Sequence, residues 1–127
     1  KKIFCDCTGL GAGPSDILTE KLGGIVEGVT FTRNSKADMF YNLKLLFQQK
    51  KLSLPDYTTS TDPNVRKLFF QLMSIQQEFN SNSDIPKISH EARTHDDVCC
   101  ALCLAALYFR VGKKGKKSYT ISGFNQR

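Results

Sequence analysis

Residues 98–109 read Val-Cys-Cys-Ala-Leu-Cys-Leu-Ala-Ala-Leu-Tyr-Phe, without a single charge. This richness in Ala, Leu and Cys predicts a buried helix, and a helix that is apolar on every side must be covered on every side by other elements. The remaining chain has to supply those walls. Residues 3–7 carry β-branched and aromatic side chains and run into Gly9, Gly11 and Gly13, which predicts a strand entering a tight loop. Ser15 or Asp16 can cap a following helix containing Ile17, Leu18 and Leu22, which Gly23 and Gly24 would stop. Residues 25–32 alternate as a second strand. Between 35 and 51, Met39, Phe40, Leu43, Leu46 and Phe47 recur at steps of three and four, the spacing of an amphipathic helix.

Further on, residues 52–54 before Pro55 suit a short edge strand, and 56–64 form a loop rich in Thr, Ser, Asp and Pro. Apolar residues from Val65 to Phe79 restore helical spacing, residues 85–90 predict a strand, and 119–121 allow a last one. The alternation of strands and helices predicts a layered α/β domain. With 127 residues, one domain with a core of moderate size is expected. The chain opens on Lys1 without a lead-in to its first apolar run, as a piece of a longer polypeptide would.

Charge narrows the partners. Eighteen Lys and Arg against twelve Asp and Glu give +6, which favours an anionic partner. Arg110, Lys113, Lys114, Lys116 and Lys117 concentrate part of this charge in a basic, Gly-containing segment over 110–118. Such a segment suits phosphate contact without base reading, or a solvated tail. No apolar run reaches the roughly 18 to 20 residues that cross a bilayer, and the start lacks the apolar stretch of a signal peptide. Cys5, Cys7, Cys99, Cys100 and Cys103 are odd in number and gathered near the two ends, so a reducing, intracellular compartment is expected.

Three constellations can carry chemistry. Asp6 at a strand end, with glycines behind it, can hold a hard cation where a phosphate backbone approaches, or those glycines simply turn the chain. Pro14 interrupts a dinucleotide-type glycine pattern, and no Lys-Ser or Lys-Thr pair follows to make a P-loop. His95, Asp96 and Asp97 precede the apolar helix. Adjacent carboxylates there are offset either by a divalent cation or by the helix end itself, with Thr94 as N-cap and Asp97 completing a capping box. Which of the two acids would face a metal depends on helix phase. The cysteines are either small buried thiols or, drawn from both ends, zinc ligands lacking the usual knuckle spacing.

Taken in order, Asp6-Cys7-Thr8-Gly9-Leu10-Gly11, then Gly28-Val29-Thr30-Phe31-Thr32 with Lys36, then Leu52-Ser53-Leu54-Pro55, and finally Thr94-His95-Asp96-Asp97-Val98 before Ala101-Leu102-Cys103-Leu104-Ala105 resemble the nuclease domain of viral DNA-packaging terminase large subunits. The likeness covers the chain up to about Tyr108 and corresponds to the C-terminal part of that domain. It implies a ribonuclease-H-like mixed sheet flanked by helices and lacking its first strands. It also implies an endonuclease that cuts double-stranded DNA with little sequence preference, using two Mg²⁺ or Mn²⁺ ions. On the matching positions Asp6, Asp96 and Asp97 would be the catalytic, metal-binding acids. His95 would support the metal shell, and Lys36 would touch phosphate or the metal-bound water. The family's further acid and its motor domain lie upstream, so the partners implied are DNA, that motor and other packaging proteins in a host cytoplasm or nucleus. The alternative is a non-catalytic DNA- or protein-binding module that keeps the fold.

Overall fold

The computed structural model describes residues 1–9 and 12–110. The first strand, β1, spans Ile3–Asp6, and helix α1, Ala12–Leu22, carries the chain to β2, Val26–Val29, through a 3₁₀ turn at Gly23–Ile25. The two strands pair in parallel, Ile3 opposite Val26 and Asp6 opposite Val29. A parallel pair needs a crossover, and α1 provides it. The helix starts before Ser15, which lies buried inside it with its carbonyl accepting from Thr19 Oγ1 at 2.8 Å. Pro14 does not prevent this earlier start, because backbone N–H groups of a first helical turn have no partner to lose.

Gly28 lies opposite Cys5 in this pair. A Cβ at position 28 would stand 2.6 Å from Cys7 Sγ, so the strand has no room for a side chain there. Gly28→Ala should therefore cost about 1–3 kcal/mol in urea unfolding, and most of that cost should vanish in a Cys7→Ala background. An equal cost in both backgrounds would show that the thiol is not what excludes the methyl group.

Helix α2, Arg33–Gln48, starts two residues before the periodicity does, because Thr32 and Ser35 form a capping box: Thr32 Oγ1 accepts from Ser35 N at 3.1 Å, and Ser35 Oγ from Thr32 N at 2.8 Å. Ser35 Oγ also donates to Thr30 O at 2.7 Å, which fixes the helix start to the exit of β2. Residues 52–54 are not a strand; Leu52 packs onto the core instead. Helix α3, Pro63–Ser74, is capped by Asp62, whose carboxylate accepts from Asn64 N at 2.8 Å, with Pro63 in the first turn where its missing N–H costs nothing.

The expected helix over 65–79 divides. After Ser74 the chain turns into β3, Ile75–Asn80, which pairs antiparallel with β4, Ser83–His90, across a tight turn at Ser81 and Asn82. Ile75 and Phe79 sit four residues apart, a spacing that fits a helix as well as a strand; the cross-strand partners decide it, with Ser89 Oγ donating to Glu78 Oε1 at 2.6 Å. Among the described residues the strands form two separate two-stranded sheets and not one mixed sheet. Helix α4, Asp97–Ala106, completes a mixed α/β arrangement and leads into a 3₁₀ turn at Leu107–Phe109. The possible strand over 119–121 lies outside the described residues.

The core lies where α2, α4 and the β1–β2 pair meet. Val29, Met39, Leu43, Leu46, Cys103, Leu104 and Ala106 are buried in one cluster, and Phe4, Phe31, Phe40 and Leu72 pack against it. α4 buries Cys99, Cys100, Cys103, Leu104 and Ala106, but Ala101 and Ala105 are exposed, as are Tyr108 and Phe109 after it, so the helix is covered on one side and not all round. Buried amides meet both of its ends. Asn42 Nδ2 in α2 donates to Ala106 O at 3.1 Å, and Gln71 Oε1 in α3 accepts from Val98 N at 2.8 Å and Cys99 N at 3.2 Å. No described helix is long and apolar enough to cross a membrane.

Candidate functional site

Asp6 is exposed at the C-terminal end of β1, and its Oδ1 accepts from Thr8 N at 2.8 Å and from Thr8 Oγ1. Thr8 Oγ1 in turn accepts from Phe31 N at 2.8 Å, so one threonine links the carboxylate to the loop leaving β2. Gly9 follows with φ +67°, a left-handed backbone that disfavours a side chain. Gly9 turns the chain, one of the two roles open to the glycines, whereas Gly13 lies inside α1; the link through Thr8 was missed. An Asp two residues before a Thr that ties back to it is a local turn pattern that can be sought in sequence.

Helix α4 packs on β1, and the second acid stands at its start. Asp96 occupies the N-cap position, yet its side chain does not cap. The carboxylate reaches Lys36 Nζ, in the first turn of α2, at 2.5 Å, with both side chains mostly buried. Burial is the largest single influence on Asp96 and acts to raise its pKa. The hydrogen bond and charge of Lys36, aided by His90 and Cys100, together outweigh burial and hold the carboxyl below its usual range.

A carboxyl whose pKa is depressed by folding stabilises the native state above its unfolded pKa and loses that stabilisation as the pH falls through the folded value. Lys36→Met should accordingly destabilise the chain at pH 7 by about 1 kcal/mol, with the difference from wild type shrinking as the pH falls below the ordinary carboxylate range. Urea unfolding at stepped pH reads this directly. A deficit independent of pH would assign the loss to the lysine stem and not to its charge.

The other expected residues are placed differently. Asp97 is exposed in the first turn of α4, where its charge suits the positive helix end. Thr94 does not cap that helix: its Oγ1 donates to Glu91 O at 2.7 Å, and the acceptor at the helix start is Gln71, from a different helix. His95 is exposed and lines an open cleft against α3 together with Pro63, Arg66, Lys67, Phe70, Gln71 and Thr94. Arg110 pairs with Asp38 at 2.8 Å. Lys113, Lys114, Lys116 and Lys117 lie outside the described residues.

The chemistry of the acids suits a hard cation, but their number is small. Among the described residues no three His, Cys, Asp or Glu side chains converge into a group that would hold a metal ion. Two carboxylates with water and substrate oxygens can serve one Mg²⁺; a two-ion site needs more donors than these.

The cysteines on α4 fill space. Burial, with the Asp96 charge second, pushes the thiol of Cys99 up to about 11 and that of Cys100 to about 12, and burial raises Cys103 as well. Protonated, enclosed thiols react slowly. In Ellman titration at pH 8, half-buried Cys5 and Cys7 should label first, with Cys99, Cys100 and Cys103 slower by about a hundredfold until the chain is unfolded. Fast labelling of all five would show that α4 opens readily.

Comparison of the chain with protein families, with curated proteins and with solved structures found no match in any of the three.

Proposed function

We propose that this chain is part of a metal-dependent DNA endonuclease with a ribonuclease-H-like fold, of the kind found in viral DNA-packaging terminases. The observation that carries the reading is the placement of Asp6 and Asp96 at the ends of two elements, β1 and α4, that pack on each other. A parallel β1–α1–β2 unit with an acid at the strand end is the part of such a sheet that these residues would contribute. Asp6 and Asp96 would hold a divalent cation, and the further donors would come from the upstream strand that the family resemblance implies. A cation held there supplies charge neutralisation at a phosphodiester and activation of water.

The chain's own residues set the conditions for that binding. Lys36 already neutralises Asp96, so a cation must displace its ammonium group. Once displaced, Lys36 is free to meet a phosphate, the role the family resemblance implies. The partners proposed are double-stranded DNA and, in a packaging machine, an upstream motor domain.

A second reading has an observation in its favour. With Lys36 on Asp96 and no convergent group of three donors among the described residues, the fold can serve as a non-catalytic nucleic-acid-binding module. Plasmid nicking and linearisation with Mn²⁺, Mg²⁺ or EDTA separates the two. Metal-dependent cutting supports the nuclease, whereas DNA binding that is indifferent to metal and never followed by cutting supports the module.

A further inference from the structure

On α3, Pro63, Arg66, Lys67 and Phe70 follow one another at steps of three, four and seven from the first, so they share one face of the helix. That face forms one wall of the cleft lined by Thr94 and His95, a cavity of about 460 Å³. Two features of this wall bear on what the cleft can hold. Arg66 and Lys67 are exposed and pair with no carboxylate among the described residues, although Glu78, Glu27, Asp38 and Asp96 all hold cations elsewhere. One turn on from them stands Phe70, 64% exposed, its ring open to water on the same helix face as the two cations. Unpaired cations beside an open ring complement a polymer offering both phosphates and unstacked bases.

From this juxtaposition we infer that the α3 cleft binds single-stranded nucleic acid, with phosphates on Arg66 and Lys67 and a base stacked on Phe70. A base inside a duplex cannot reach the ring, so the site selects unpaired strands. His95, the residue before Asp96, lines the cleft opposite α3, while Asp96 itself turns onto Lys36. The inference takes its class of polymer from the proposed nuclease, but the binding it describes needs neither metal nor cutting.

The test is fluorescence anisotropy of the full chain in EDTA with a labelled short oligothymidine, its abasic counterpart and a duplex of equal length. The joint substitution Arg66→Glu and Lys67→Glu should weaken oligothymidine binding at least about tenfold, and should reduce the slope of log K against log salt by about 1.4. Phe70→Ala should weaken it by about fivefold to a hundredfold, Phe70→Trp should restore it, and the abasic strand should already bind the wild type as weakly as oligothymidine binds Phe70→Ala. All these positions are exposed, and unchanged thermal unfolding confirms that the fold survives.

Unaltered affinity in the charge-reversed variant would overturn the inference. So would equal binding of duplex and single strand with no effect at Phe70. Sedimentation showing that the same variants abolish self-association, with nucleic-acid binding intact, would overturn it in favour of an interface between copies. If Mn²⁺-dependent cutting is seen while the variants bind normally, the cleft inference falls alone. If the variants lose binding and no cutting occurs with any metal even when the upstream strand is present, the cleft stands and the nuclease reading falls.

Discussion

In a chain that carries the upstream strand, Asp96→Asn should lower Mn²⁺-dependent plasmid nicking by roughly a hundredfold or more, Asp6→Asn should do the same, and Asp97→Asn should lower it less than about tenfold. The ranking of the adjacent acids follows from their surroundings. Asp96 is drawn inward against Lys36 and is mostly buried, whereas Asp97 is exposed in the first helical turn. A carboxylate already compensated by a cation occupies a place where positive charge is favourable, and a divalent ion exploits the same place. Asparagine retains the shape but not the charge, so the loss would report electrostatics and not packing. Nicking by each variant is measured beside its urea unfolding curve, since removal of the Asp96 charge leaves Lys36 mostly buried without its partner. If Asp97→Asn abolishes nicking while Asp96→Asn retains it, the two roles exchange. Wild-type nicking in all three variants would sink the assignment of these acids to catalysis.

How much of this was legible beforehand depended on the range of each interaction. Helix α2 was read from Met39, Leu43 and Leu46 because amphipathic spacing is local, and those residues are buried as the spacing required. The buried face of α4 was read from its own composition, which did not show that Ala101 and Ala105 would be left exposed. The division of residues 65–79 was not legible, since Ile75 and Phe79 satisfy both periods and the choice rests on β4, the partner strand. The acids could be picked out as acids, but the Lys36–Asp96 pair spans 60 residues and nothing local announces it. The same holds for the cleft on α3. Arg66, Lys67 and Phe70 read as part of a helix, and only the approach of Thr94 and His95 turns that helix face into a concavity.

The amide caps of α4 were the least visible of all, and Gln71 predicts the largest loss of stability. A helix start needs acceptors for its first N–H groups, and the sequence offered Thr94 and Asp97 for that task. Instead a buried glutamine, 27 residues earlier than Val98, accepts from both Val98 N and Cys99 N through one oxygen. Gln71→Met keeps the side-chain length but removes that acceptor, leaving two amides at a largely enclosed helix end with nothing to replace it. The expected cost is about 2–4 kcal/mol of folding stability, measured by urea unfolding at pH 7. Amide exchange locates the cause: the Val98 and Cys99 N–H groups should lose protection in the variant, while amides in the middle of α2 change only as global stability does. Asp96 stands directly ahead of these amides, so a loosened cap frees the acid as well as the helix. Nicking by Gln71→Met should therefore fall further than its folded fraction at the assay temperature accounts for. Wild-type stability with unchanged exchange at Val98 and Cys99 would mean that the helix end finds its acceptors elsewhere, and that Gln71 is buried for packing alone.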